Sequence, residues 1–138
     1  MGVIYMPKMQ MVLHYLWLLF INKCEKDIIK YLINEGIDVN ERTEYPGLTP
    51  LIAAILYKND FEIIKTLVKN GADVNARMIN GMTPLKWAID KKNFEIVKYL
   101  VENGAEIEDY DQGNNNNNID TKEDIENLNK IRRYLSKK

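Results

Sequence analysis

The 138-residue sequence predicts an all-α fold, a solenoid of about three helix-turn-helix repeats closed by a C-terminal capping helix. Three observations carry this prediction. The segment Asp27-Ile-Ile-Lys-Tyr-Leu-Ile-Asn-Glu-Gly36 returns as Glu62-Ile-Ile-Lys-Thr-Leu-Val-Lys-Asn-Gly71 and as Glu95-Ile-Val-Lys-Tyr-Leu-Val-Glu-Asn-Gly104. The signal Gly-x-Thr-Pro-Leu occurs at 47–51 and again at 81–85. The copies stand 35 residues apart from Gly36 to Gly71 and 33 apart from Gly71 to Gly104, and self-similarity at such a period marks stacked units rather than one globule.

Taken in chain order, residues 1–8 are expected to be a flexible lead. Met9 to Ile21 then forms the first helix of a degenerate first unit, 9–40. A secretory signal is the competing reading of this stretch, because a lone Lys8 precedes an apolar run of suitable length. Against that, no small-x-small cleavage site follows, and Lys23 directly before Cys24 does not suit a lipoprotein signal. The run is also short for a membrane span. The second helix places Ile28, Ile29, Leu32 and Ile33 on one stripe, the spacing of an amphipathic helix with one face against a neighbour. Gly36, Gly71 and Gly104 each stop such a helix, as expected of the left-handed residue that follows a helix end.

The second unit, 41–75, and the third, 76–111, open on the Thr-Pro signal. Thr49 or Thr83 caps a short helix with its hydroxyl, worth about 1 kcal/mol, and Pro50 or Pro84 occupies the first helical position, where no N–H is needed. Ala53, Ala54 and Ala88 are small enough for helices to approach closely. Stripes Ile63, Ile64, Leu67, Val68 and Ile96, Val97, Leu100, Val101 mark the second helices. The second unit carries two extra residues. From Asn40 to Gly47 is seven steps against six from Asn75 to Gly81, and from Thr49 to Glu62 is thirteen against twelve from Thr83 to Glu95. One insertion is therefore assigned to the inter-unit loop and one to the turn between paired helices, where loop entropy makes them cheap.

Residues 112–120, with asparagine at 114–118, have no apolar periodicity and read as a solvated linker, an assembly-prone tract being the alternative. Residues 121–138 hold the predicted capping helix. Thr121 and Asp124 resemble a capping box, Ile125, Leu128, Ile131 and Leu135 form a stripe, and Glu126 and Lys130 sit at i, i+4. Its basic end, Arg132, Arg133, Lys137 and Lys138, suits a helix C-terminus. Docking a partner is the alternative role for this helix.

Composition narrows function. Nineteen basic residues against twenty acidic ones leave a net charge of −1, which supplies no field for nucleic acid or anionic lipid. One cysteine, Cys24, and one histidine, His14, exclude a disulfide framework and a Cys/His zinc cluster within the chain. Cys24 has no base near it in sequence. The glycines belong to helix stops and turns rather than to a phosphate-binding loop, and Glu106, Glu108, Asp109 and Asp111 depart from calcium-loop spacing. No catalytic constellation, metal site or cofactor is expected. Ile, Asn, Lys and Tyr make up about two-fifths of the chain, a usage far from average that points to AT-rich coding.

The repeated unit resembles the ankyrin repeat. Residues 47–75 match its Gly-x-Thr-Pro-Leu, Glu-Ile-Ile and Asn-Gly-Ala-Asp-Val-Asn pattern, residues 81–108 match nearly as well, and the likeness extends over roughly 14–111. The chain departs from the pattern at Met78, where Asp is usual, at Lys86 and Lys92 in place of His and Gly, and at Glu106-Ile-Glu108 in place of Asp-Val-Asn. The resemblance implies protruding β-hairpin-like loops and a non-enzymatic module that binds another protein through a concave face of loop tips and first helices. Carried onto this sequence, the implied contact residues before unit two are Arg42, Glu44, Tyr45 and Leu48, with Tyr57 at its helix end. Before unit three they are Arg77, Ile79, Asn80 and Met82, followed by Asp90 and Lys91, and beyond it Tyr110 and Asp111. Several are types favoured at interfaces. Ile79 and Met82 stand out because a turn gives no packing reason for them, the alternative being that Met82 tucks against a neighbouring unit and Ile79 is merely exposed. A monomer without nucleic-acid or membrane partners, in a reducing intracellular compartment, is expected. Export into a host cell stays open, as does an effector that recruits or inhibits an enzyme through the same face.

Overall fold

Side-chain caps and left-handed stops divide the chain into its elements. A computed structural model describes residues 26–58, 60–108 and 122–138. Within them lie helices α1 (Lys26–Asn34), α2 (Pro50–Ala53), α3 (Phe61–Lys69), α4 (Pro84–Asp90), α5 (Phe94–Glu102) and α6 (Lys122–Ser136), with no strand among the described residues. The expected helix at Met9 to Ile21, its alternative as a signal, His14, Cys24, the asparagine run and Thr121 lie outside them.

The short first helices begin as their sequence demands. Thr49 and Thr83 are extended, and their hydroxyls accept from the N–H groups of Ile52 at 3.3 Å and Lys86 at 3.2 Å, with proline next in the chain. The second helices use caps of another type. The Asp60 carboxylate accepts from the N–H groups of Glu62 and Ile63, and the Asn93 side-chain Oδ1 accepts from that of Ile96. At the far end of α3, Gly71 has φ +92, its N–H donates to the Val68 carbonyl at 3.1 Å, and the Ala72 N–H reaches back to Leu67 at 3.0 Å. This paired closure satisfies carbonyls that a helix end leaves open. The same pair of bonds ends α4, but Lys92, at φ +56, stands in the left-handed position.

The two insertions are absorbed differently. The loop before unit two closes from Thr43 to Leu48 and the loop before unit three from Met78 to Met82, so the first is one residue longer at its tip, as expected. The other does not sit simply in a surface turn. It widens the helix itself: Ala54–Lys58 wind as a π-helical turn directly after α2, and Ala54 and Ile55 within it are completely buried. A π turn takes in one residue more than an α turn while keeping the backbone bonded.

Helices of successive units pack in series. α1 lies on α3, α3 on α5 and α5 on α6, while α2 and the π turn meet α4. Ile29, Ile33, Ile63, Ile64, Leu67, Ile96 and Leu100 are essentially inaccessible between them. Ile28 departs from its predicted stripe. It is 47% exposed, whereas Ile63 and Ile96 at the same repeat position are wholly buried. On α6, Leu128 and Ile131 are buried and Leu135 packs half-buried, but Ile125 is 49% exposed, having rotated past the edge of the contact. The Glu126–Lys130 pair forms at 3.0 Å.

Edge-on aromatic contacts mark the joints. Phe61, first residue of α3, meets Tyr99 of α5 with ring centroids 5.4 Å apart, and Phe94, first residue of α5, meets Tyr134 of α6 at 5.7 Å. Ile131-Arg-Arg-Tyr-Leu135 repeats Ile96-Val-Lys-Tyr-Leu100 after 35 residues. The C-terminal half of α6 thus docks on α5 much as a further second helix would.

Candidate functional site

The loops before units two and three form parallel fingers. In the first, the Thr43 N–H donates to the Leu48 carbonyl at 3.0 Å, and the Leu48 N–H donates to the Thr43 hydroxyl at 2.9 Å. In the second, the Met78 N–H donates to the Met82 carbonyl at 2.9 Å. The Ile79 N–H donates to the Pro46 carbonyl at 3.0 Å and ties the two tips together. Gly47 lies at this junction with φ +81, and a Cβ there would come within 3.2 Å of Arg42 Nη2 and 3.4 Å of the Ile79 nitrogen.

The tips carry large apolar side chains into solvent: Tyr45 is 80% exposed and Ile79 64% exposed. Glu44 and Asn80, also exposed, flank them. Leu48 does not belong to this surface. Its backbone closes the finger, so its side chain turns inward and is 2% exposed, a correction to its expected contact role. Met82 packs half-buried against the core, which favours the tucked alternative. Arg42 and Arg77 are exposed yet engaged within the molecule: Arg42 donates to the Arg77 carbonyl, and Arg77 donates to Glu108. Asp90 and Lys91, also exposed, lie at the other end of α4 from the fingers, and Tyr57, 48% exposed, sits in the π turn at the far end of α2. Tyr110 and Asp111 lie outside the described residues.

Two side chains that went unassigned from sequence brace this surface. Asn40 Nδ2 donates to the Gly71 carbonyl at 2.9 Å while its Oδ1 accepts the Asp73 N–H at 2.7 Å. Asn75 repeats the latch on Gly104 at 3.0 Å and on the Glu106 N–H at 2.8 Å. The recurrent Asp-Val-Asn at 38–40 and 73–75 is the sequence signal for it. Met78, the departure from the expected Asp, is buried and accepts from the Trp87 indole N–H at 3.1 Å.

Electrostatics at the units' edges follow burial and pairing. Glu41 has one carboxylate oxygen enclosed without a partner among the described residues. Burial, then the nearby Asp38 charge, pushes its pKa up. Lys26 pairs with Glu62 at 3.0 Å across α1 and α3. That hydrogen bond and charge hold the Lys26 pKa up and the Glu62 pKa down. Burial raises the Tyr99 hydroxyl. Among the described residues, no group of three or more His, Cys, Asp and Glu side chains is placed to hold a metal ion, and no helix is long and apolar enough to cross a membrane.

Paired helices joined by bonded fingers define a repeat protein. The model of the family of ankyrin repeats, in three copies, matches residues 16–111. That is more than half of the chain, and the chain belongs to the ankyrin-repeat family. Ankyrin repeats are generally protein-protein interaction modules and typically not enzymes. No curated protein matches the chain in sequence.

Proposed function

We propose that the chain is a non-enzymatic interaction module that holds a partner protein through the concave face of its array, with Tyr45 and Ile79 as the main apolar contacts. One observation supports this reading above the rest. Two large apolar side chains stand in solvent on adjacent fingers whose tips are bonded to each other. Exposed large apolar groups on a rigid frame cost little ordering entropy when a partner covers them, and tyrosine is a frequent interface anchor.

The test compares the unaltered protein with a Tyr45→Ala/Ile79→Ala variant in affinity capture from the native cellular setting, read by quantitative mass spectrometry. Proteins retained by the first and lost by the second, with equal thermal unfolding, are the expected outcome. Identical capture by both, or no macromolecular partner for either, overturns the reading.

A further inference from the structure

We propose that Glu108 is a positioning residue for the finger-tip surface, anchoring a relay of side chains that keeps neighbouring fingers in register. The relay starts at Arg42 in the first finger, which donates to the Arg77 carbonyl in the second. The Arg77 side chain continues to Glu108 Oε1, and Lys86 Nζ lies 2.7 Å from Glu108 Oε2. Each oxygen of one carboxylate therefore faces a cation, one from the finger and one from α4. Arg77 joins the two halves, since its backbone receives one arginine while its own guanidinium seeks the acid.

Position 108 gives the relay its meaning. It falls where the earlier units have Asn40 and Asn75, whose amides both donate to and accept from the following loop. A carboxylate has no N–H to donate, so Glu108 cannot form that two-way latch to the chain beyond it. It is instead drawn backward onto the third unit by two cations. A latch that points forward in two units becomes, in the third, an anchor that points back at the fingers.

The groups are partly exposed, 51% for the Arg77 side chain, 37% for Lys86 and 32% for Glu108. Such pairs contribute little to global stability, but the free energy that opens a surface loop is itself small. The consequence falls on the fingers and not on the core. The bond from the Ile79 N–H to the Pro46 carbonyl reports it, because it closes only while the two tips stay in register.

Amide hydrogen exchange of the full chain, read residue by residue by NMR at low salt, tests the proposal without any partner and so separately from the binding reading above. In Glu108→Gln the Ile79 amide should exchange about fivefold faster, while the Val97 amide, bonded to the Asn93 carbonyl at 3.0 Å, keeps its protection. Arg77→Gln should leave the same pattern. Raising the unaltered protein to about 0.5 M salt should shift Ile79 in the same direction, since screening shortens the reach of charge. An unchanged Ile79 rate in both variants overturns the proposal, as does a response to one variant alone. Equal acceleration of Ile79 and Val97 also overturns it, by making the effect a general loss of stability.

Discussion

Asn75 joins two units with one amide, because its donor and its acceptor both find backbone groups of the next loop. Removing it leaves the Gly104 carbonyl and the Glu106 N–H to find other partners, at a cost of about 1–2 kcal/mol. Asn75→Ala should lower the unfolding free energy measured by urea titration by that amount, and Asn75→Asp, which keeps the acceptor alone, should fall between. Glu41 makes the opposite prediction. Its folded carboxyl holds a proton to higher pH than the unfolded one, so its charged form counts against the fold. That cost is absent at acid pH, enters as pH rises above the ordinary value of 4.5, and is complete above the raised pKa. Glu41→Gln should therefore raise the thermal midpoint at pH 7, and the gain should vanish toward pH 4. Neither residue announced its role in the sequence. Asn75 was visible as a repeated letter, but which atoms it meets depends on the stacking distance between units. Burial of the Glu41 carboxylate oxygen arises only in the folded chain, and no sequence pattern marks it.

At the scale of elements, the helices whose ends are chemically marked could be read directly. Thr-Pro at 49–50 and 83–84 and glycine at 71 and 104 define α2 to α5 through local hydrogen bonds, which need no tertiary information. The π turn could not be read this way. An extra residue between Thr49 and Glu62 is countable, yet its place is decided by burial of Ala54 and Ile55 against α4, which favours widening the helix over breaking it. The stripe on α6 was likewise legible in period but not in phase. Ile131 is 2% exposed and Ile125 49%. Ile131→Ala should thus destabilise by about 2–4 kcal/mol and Ile125→Ala by no more than about 0.5 kcal/mol, measured by chemical unfolding of each variant.

Across the whole molecule, the proposed contacts Tyr45 and Ile79 are separate from the buried core. Gly71 lies in the array's interior sequence with φ +92, and a Cβ there would meet no neighbour within 4 Å. The cost of Gly71→Val is therefore one of backbone conformation, at least about 1–2 kcal/mol, and should appear as a lower thermal midpoint. Tyr45→Ala, at a side chain 80% exposed, should leave that midpoint unchanged. Should the two variants lose stability equally, the division fails. The family and the fingers could be read from sequence. Ile79 and Met82 stand out there as turn residues without a packing reason, yet of the two only Ile79 stands in solvent, since Met82 packs half-buried against the core. Leu48 could not be separated from Tyr45 and Ile79, because inward and outward positions alternate within a finger and one residue of loop length reverses the assignment.

The edge-on contact of Phe94 with Tyr134 restates that of Phe61 with Tyr99, so the closing helix and an ordinary unit present the same connector. The molecule is in that sense built from interchangeable parts. A second copy of residues 72–104 spliced after Gly104 would bring its own phenylalanine for Tyr134 and its own tyrosine for Phe94, together with a fresh Asn75. The length of the array, and with it the number of fingers displayed, becomes a quantity that can be lengthened one cassette at a time.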